Sequence, residues 1–270
     1  MSEDTGLPEG ETHQNRNAAE SFGSDPERYD RVRPRYPAAM VESVVAALPG
    51  VDVLDVGCGT GITARQFQAA GCTVLGVDVD ARMAEVARRC GAEVEVAAFE
   101  TWNTGSRKFD AVVSGQAWHW VDPVVGAAKA AQILRPGGRI AVFWNVLKPP
   151  PAITEAFTAV YRRVLPDMPM YLSGLMPGPA GYLTLCDKAA DGIRRTGAFD
   201  APEQRELDWN QTYYRDEWLD QLPTFAGHSQ FPAGKLDELL AGIGGVIDSL
   251  GGRFTMRYTV AMVTATRIGP

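Results

Sequence analysis

The chain is poor in the features that would mark several common classes. It has four cysteines in 270 residues, Cys58, Cys72, Cys90 and Cys186, and no C-x-x-C pair among them. That argues against a zinc ribbon and a disulfide framework, and it suits reduced thiols in a cytoplasmic protein. No apolar run approaches the roughly 18 residues that a membrane-spanning helix needs. The polar, acidic start, to about residue 17, has no apolar core of a signal peptide. Positive charge is also short: 26 Lys and Arg against 33 Asp and Glu give a net charge of −7, which disfavours a nucleic-acid partner. Histidine is scarce at three residues, so neither spacing nor number suggests a metal site. What remains is an ordinary globular composition, 45% hydrophobic and 22% charged. Residues 1–21 are expected to be a flexible tail.

What the chain does have is a buried strand running into glycines: Val53-Leu54-Asp55-Val56-Gly57-Cys58-Gly59-Thr60-Gly61. Glycines at alternate positions let the backbone turn tightly and let a ligand come closer than a side chain would allow. The helix expected from Ile62 then points its free N–H groups into the cleft. This spacing is not the dinucleotide pattern G-x-G-x-x-G, because the sixth position is Ile62. Asp55 would repel a pyrophosphate and would suit a cationic group. A second strand, Val74-Leu75-Gly76-Val77-Asp78, ends in another acid. Asp78 lies about 20 residues past the glycines, where such folds place the carboxylate that binds ribose hydroxyls. A ligand with a ribose, an adenine and a positive charge but no phosphate satisfies both acids. S-adenosylmethionine has these parts.

Strands are predicted over 51–56, 73–77, 93–97, 111–114 and 139–144, and helices over 38–48, 62–70, 81–90 and 123–134. This alternation predicts an α/β, Rossmann-like, doubly wound parallel sheet. Lys148-Pro149-Pro150-Pro151 interrupts the pattern, and 253–267 reads as a last strand. No internal repeat is apparent.

In order and spacing, five segments resemble the class I S-adenosylmethionine-dependent methyltransferases, closest to the small-molecule branch of trans-aconitate methyltransferase-like proteins. They are Tyr29 to Pro37, the glycine motif at Asp55–Gly61, Asp78 with Met83, Phe109–Ser114 leading to Gln116-Ala117-Trp118-His119-Trp120, and Leu134–Ile140. The resemblance implies seven strands with an antiparallel last hairpin, strand six falling around 199–209. It divides the chain into a cofactor-binding core (22–148), a helical substrate cap (149–198) and a C-terminal part of the core with an added helical segment (199–270). It implies cofactor contacts from Cys58, Val79, Met83 and Gln116 besides Asp55, Asp78 and the three glycines. Many relatives carry an Asp where Ala98 stands, so adenine recognition falls to Phe99, Glu100 or the backbone. Arg33, from the cluster Arg28, Arg31, Arg33 and Arg35, is the candidate for the cofactor's methionine carboxylate, and Tyr29, Tyr36, Trp118 and Trp120 for the substrate pocket.

The reaction implied is in-line methyl transfer to a small-molecule acceptor, more readily at oxygen than at nitrogen or carbon. His119 is the candidate base for a hydroxyl acceptor, a hydrogen-bonding neighbour for a carboxylate acceptor, or a residue that only shapes the pocket. Trp209, Tyr213, Tyr214 and Trp218 either wall the acceptor pocket or pack the cap onto the sheet. A cofactor-binding scaffold without catalysis, and a nicotinamide oxidoreductase, are the other classes considered. The sequence gives neither the acceptor nor the oligomeric state.

Overall fold

The computed structural model describes residues 21–166, 179–225, 227–228, 231–232 and 234–269; the expected tail therefore lies almost wholly outside the described residues. Strands β1 (Asp52–Val56), β2 (Thr73–Asp78), β3 (Glu93–Val96), β4 (Phe109–Gly115), β5 (Leu134–Lys148), β6 (Glu203–Tyr214) and β7 (Arg253–Thr266) form one sheet in the order 3-2-1-4-5-7-6. β1 to β5 run parallel, and β7 is antiparallel to both β5 and β6. This is the expected doubly wound sheet with its antiparallel edge hairpin. The order reverses between β1 and β4, which opens a crevice beyond their carboxyl ends.

The helices are α1 (Pro26–Val32), α2 (Ala38–Val45), α3 (Ile62–Ala69), α4 (Ala81–Arg89), α5 (Pro123–Ile133), α6 (Pro151–Val164), α7 (Pro179–Thr196), α8 (Arg215–Gln221) and α9 (Lys235–Ser249). The pleat of β1 splits its residues between two cores. Leu54 and Val56 face Val112, Val142, Trp144 and the small residues of α5. Val53 faces Met40 and Val44 of α2, and Ala64 and Phe67 of α3. A third core lies where the long β6–β7 hairpin runs beyond the parallel strands. There Tyr213, Phe254, Met256 and Tyr258 pack with Phe157 and Tyr161 of α6, Trp218 of α8 and Ile243 of α9.

Two expectations shift. β5 extends well past 139–144 because it pairs with β7 from Arg139↔Thr266 to Lys148↔Arg257. β6 starts later than 199, at Glu203, and its largely polar, exposed sequence carries little strand signal; Phe199 keeps only an isolated bridge to Arg267. The segment read as a cap divides in two. α7 buries Cys186, Ala189, Ala190 and Ile193 in the main core, so it is a layer of the sheet, whereas α6 belongs to the third core.

Candidate active site

The glycine turn is built by backbone geometry. Gly57, Gly59 and Gly61 have φ of +67°, +53° and +81°, the left-handed region where a Cβ is costly. A Cβ on Gly57 would also stand 2.4 Å from the Ala117 Cβ. The Gly57 and Cys58 N–H groups donate to the Val77 carbonyl at 2.8 and 3.3 Å, which ties the turn to the end of β2. There Asp78 accepts from the Gly59 N–H through Oδ2 at 2.7 Å and from the Asp80 N–H through Oδ1 at 2.8 Å. Each carboxylate oxygen keeps lone-pair capacity for a further donor.

Asp55 sits beneath this turn. Its side chain has 0% exposure, and neither oxygen has a hydrogen-bond partner. Burial, and then the charge of Asp78, push its carboxyl up to about 8; the Ala64 N–H at the start of α3 offsets part of that without a hydrogen bond of normal geometry. A buried carboxyl with no partner costs stability, so its position needs a reason beyond folding. A cation brought into the turn supplies one. Thr60 Oγ1, beside it in the loop, is likewise buried without a partner.

The opposite wall comes from β4 and β5. Gln116 has φ of +59°, the one non-glycine residue with positive φ among the described residues. Its N–H donates to the Phe143 carbonyl at 2.9 Å, and its Oε1 accepts from the Asn145 N–H at 3.0 Å. Asn145 Oδ1 accepts from the Trp209 indole N–H at 3.1 Å. An indole can only donate, so the Asn145 NH₂ is turned elsewhere. The cleft, about 70 Å³, is lined by Tyr29, Arg33, Tyr36, Gly57, Cys58, Gly59, Thr60, Thr63, Gly115, Gln116 and Asn145. The segment that carries Tyr29 to Tyr36 closes over it and keeps it small.

Arg33 differs from its neighbours in that cover. Arg28 and Arg31 pair with Asp220, and Arg35 with Asp30. Arg33 has no carboxylate partner among the described residues. Its guanidinium lies 4.7 Å from the Tyr29 ring and 4.8 Å from the Phe225 ring. It donates to the Thr224 carbonyl, and its Nε is buried without a partner.

Other expected site residues divide. Met83 is near the turn, its Cε 3.3 Å from where a Gly59 Cβ would stand, and Val79 is exposed beside Asp78. Phe99 is buried in the main core, 6.1 Å from Trp118. Glu100 Oε1 accepts from the Asp122 N–H at 3.0 Å, so this carboxylate helps hold the start of α5. Trp118, expected at the substrate pocket, is 2% exposed and packs in the core against Phe99 and Gly126; its large apolar ring is worth more there. Trp120 is half-buried and meets Phe22 edge-on.

His119 Nδ1 accepts from the Trp144 indole N–H at 3.2 Å, and burial pushes its pKa down to about 4. The ring is therefore neutral with its proton on Nε2. Nδ1 is occupied by the indole and Nε2 carries the proton, so the geometry fits a donor through Nε2–H and does not fit a base. Sequence reasoning missed Asn145, Thr60 and Thr63. Asn145 was within reach, being the first residue past the predicted end of a central strand, where such sheets bind ligands.

Among the described residues no helix is long and apolar enough to cross a membrane, and no group of three or more His, Cys, Asp or Glu is placed to hold a metal ion.

Comparison with known proteins bears on this cleft. Residues 54–142 match the family model described as a methyltransferase domain. An uncharacterised methyltransferase of Mycobacterium tuberculosis is 36% identical over 127 residues, 46% of this chain and 52% of that protein. Malonyl-[acyl-carrier protein] O-methyltransferase of Enterobacter lignolyticus is 34% identical over 125 residues, 44% and 50% of the two chains. The chain thus spans about half the length of these curated relatives. A solved structure from Anaeromyxobacter dehalogenans, provisionally named a type II methyltransferase, superposes with a TM-score of 0.62 over 88% of this chain and 99% of that one, at 21% identity, which shows the fold. Residues 54–142, which carry the glycine turn, Asp55, Asp78 and the β4 wall, are thus a methyltransferase domain.

Proposed function

We propose that the protein binds S-adenosylmethionine in the cleft beyond β1 and β4 and methylates an oxygen of a small-molecule acceptor. The observation that carries this reading is Asp55: a fully buried carboxyl without a partner, next to a second acid, under a turn of glycines. That arrangement fits a cationic nucleoside and disfavours a phosphate. When bound, the cofactor supplies a methyl group on a positively charged sulfur.

The chain's own residues do the rest. The glycine N–H groups and Asp78, with its spare lone pairs, hold the ribose side. Asp55 balances positive charge. Arg33 takes the methionine carboxylate, being the cleft cation that no acid among the described residues neutralises. Met83 and Val79 flank the adenine, with the backbone near Ala98 completing its recognition. Tyr29 and Tyr36 exclude water. Holding two reactants in line is worth roughly 7–11 kcal/mol of barrier, so a site with no base can still work if the acceptor oxygen is already ionised. With His119 committed as a donor, a carboxylate is the acceptor oxygen this site suits best. An O-methyltransferase stands among the relatives, which supports oxygen as the methylated atom.

Calorimetry with S-adenosylhomocysteine tests the cofactor assignment; binding in the micromolar range is expected, with no heat from NADH. Incubation with methyl-labelled cofactor and a pool of carboxylic acids tests the reaction; base-labile label in a methyl ester is expected. Absence of heat at millimolar S-adenosylhomocysteine would sink the assignment.

A further inference from the structure

The third core contains polar groups that a purely structural core would not leave as they are. α8 places Trp218 and Gln221 three residues apart, on one helical face, against the β6–β7 hairpin. Tyr213 and Tyr258 share one hydrogen bond there, hydroxyl to hydroxyl at 2.7 Å, which leaves the pair one O–H proton to give. The Gln221 amide lies beside both hydroxyls. Gln221 is 1% exposed and Trp218 2%, yet Gln221 Oε1 and Trp218 Nε1 have no partner. Buried polar groups are normally paired, and here two unpaired ones stand together.

This cluster continues into the cleft on two sides. On one, Arg33 donates to the Thr224 carbonyl, and Thr224 Oγ1 donates to the Gln221 carbonyl at 2.7 Å. On the other, Trp209 stacks on Tyr258 at 4.6 Å and holds Asn145, which lines the cleft. The side chains between are aromatic: Trp218 lies 5.0 Å from Tyr213 and 5.8 Å from Phe225.

We propose that Tyr213, Tyr258, Gln221 and Trp218 form a recognition subsite for the acceptor, specific for a neutral hydroxyl group on a planar, apolar body. A hydroxyl suits it because it can donate to Gln221 Oε1 and accept from the spare tyrosine O–H at the same time. A carboxylate would meet the Gln221 oxygen and be repelled, and an ether has no proton to give. Burial holds both phenols above their ordinary range, so they stay neutral donors. The acceptor class that follows is a hydroxylated carboxylic acid, its hydroxyl held here and its carboxylate presented to the cofactor. This deepens the proposed function and rests on it only for the methylated end.

The test is calorimetry with 4-hydroxyphenylacetate and 4-methoxyphenylacetate, on the free protein and on the protein saturated with S-adenosylhomocysteine. The hydroxy compound is expected to bind at least tenfold more tightly than the methoxy compound. Gln221→Leu is expected to bring the two within twofold while leaving S-adenosylhomocysteine binding unchanged. Tyr213→Phe, which keeps the ring, is expected to narrow the difference several-fold and stands in if Gln221→Leu does not fold. Equal binding of the two compounds, no binding of the hydroxy compound at millimolar level, or discrimination that survives in the folded variants overturns the subsite. Failure of S-adenosylhomocysteine to bind overturns the methyltransferase reading instead, and the comparison on the free protein still decides the subsite.

Discussion

The core around α2 and α3 and the core around the β6–β7 hairpin are built from different material. The first is dominated by Val and Ala, with Gly76 and Ala111 beside β1. Small side chains let helices and backbone approach closely, and the result is a frame that fixes a turn of glycines. The second is dominated by rings, several with a polar atom at the tip: Tyr161, Tyr213, Trp218 and Tyr258. Rings fill volume but leave their polar ends to be satisfied. Among the described residues, the partnerless groups of the first region include the Asp55 carboxyl and the Thr60 hydroxyl; those of the second include an amide oxygen and an indole N–H. The first therefore suits a cation and the second a neutral hydrogen-bonding group, so one chain presents two unlike half-sites on the two sides of Arg33.

The sharpest way to break this comparison is a Cβ in the turn. Gly57→Ala places a methyl 2.4 Å from the Ala117 Cβ, at a backbone angle that costs about 1–2 kcal/mol for an L-residue. The expected result is loss of S-adenosylhomocysteine affinity by more than about 100-fold, since the two strain terms together exceed 2.7 kcal/mol or so. Tyr258→Phe should leave that affinity within about twofold. If calorimetry finds both variants equally impaired, the two regions are one site and the division fails.

The next effect is at Asp55. Asp55→Asn should weaken S-adenosylmethionine by about 10–100-fold, the worth of a charge-assisted contact of roughly 1.5–3 kcal/mol. The same variant should raise the melting temperature of the free protein at pH 8, because an unpaired buried carboxyl is removed. The sign of the pH effect follows from its raised pKa. The unfolded chain loses this proton near the ordinary value of 3.8, and the folded chain keeps it until about 8. Between those values the unfolded state binds fewer protons, so this group makes the free protein less stable as pH rises. A cationic ligand needs the ionised form, so affinity should climb with pH up to about 8. Binding at pH 7 should release a proton, visible as a dependence of the heat on buffer ionisation enthalpy.

The two regions also differ in how far they could be read from sequence. The glycine spacing, Asp55 and Asp78 are set by local chemistry at strand ends, so the first region was legible almost residue by residue. The parallel, doubly wound sheet followed from the alternation, and the antiparallel hairpin from the resemblance. The third core was not legible, because its members come from α6, β6, α8, α9 and β7 and no periodicity links them. Trp118 and Trp209 show the same limit. Both are tryptophans in aromatic clusters, yet Trp118 is in the main core while Trp209 braces Asn145 at the cleft, and only tertiary packing separates them. His119 was found by position, with its role left among three, since its tautomer depends on Trp144 in a different strand.

A smaller effect sharpens the chemistry of the first region. Loss of a general base typically costs about 10²–10⁴-fold in rate. His119→Gln keeps a side-chain donor, and turnover is expected to fall by less than about tenfold. With its pKa pushed down to about 4, the wild-type rate should show no His119 limb between pH 6 and 7. A hundredfold loss in this variant, with a limb near pH 6.5 abolished by it, would restore the base role and point to a hydroxyl as the methylated oxygen.

The smallest effect concerns the seam between the regions. Asp220, on α8 of the second region, pairs with Arg28 at 2.9 Å and Arg31 at 2.8 Å on the α1 cover of the first. All three side chains are about a third exposed or more, and such pairs are worth about 0.2–1 kcal/mol each. Asp220→Ala removes at most about 2 kcal/mol from the seam; only the part lost when the cover opens reaches the cofactor, so S-adenosylhomocysteine affinity should change by no more than about tenfold, through faster dissociation from a cover held less firmly. Salt should reproduce part of the change in the wild type and little in the variant, because screening acts on the pairs that the variant lacks. Stopped-flow dissociation rates at low and high salt measure this directly. A dissociation rate that is the same in both proteins at low salt would mean that the cover is held without Asp220, by the Arg33 contacts to Thr224 and Phe225 and by the Asp30–Arg65 and Glu27–Arg89 pairs, and that of the ties to the acceptor side only Arg33 matters.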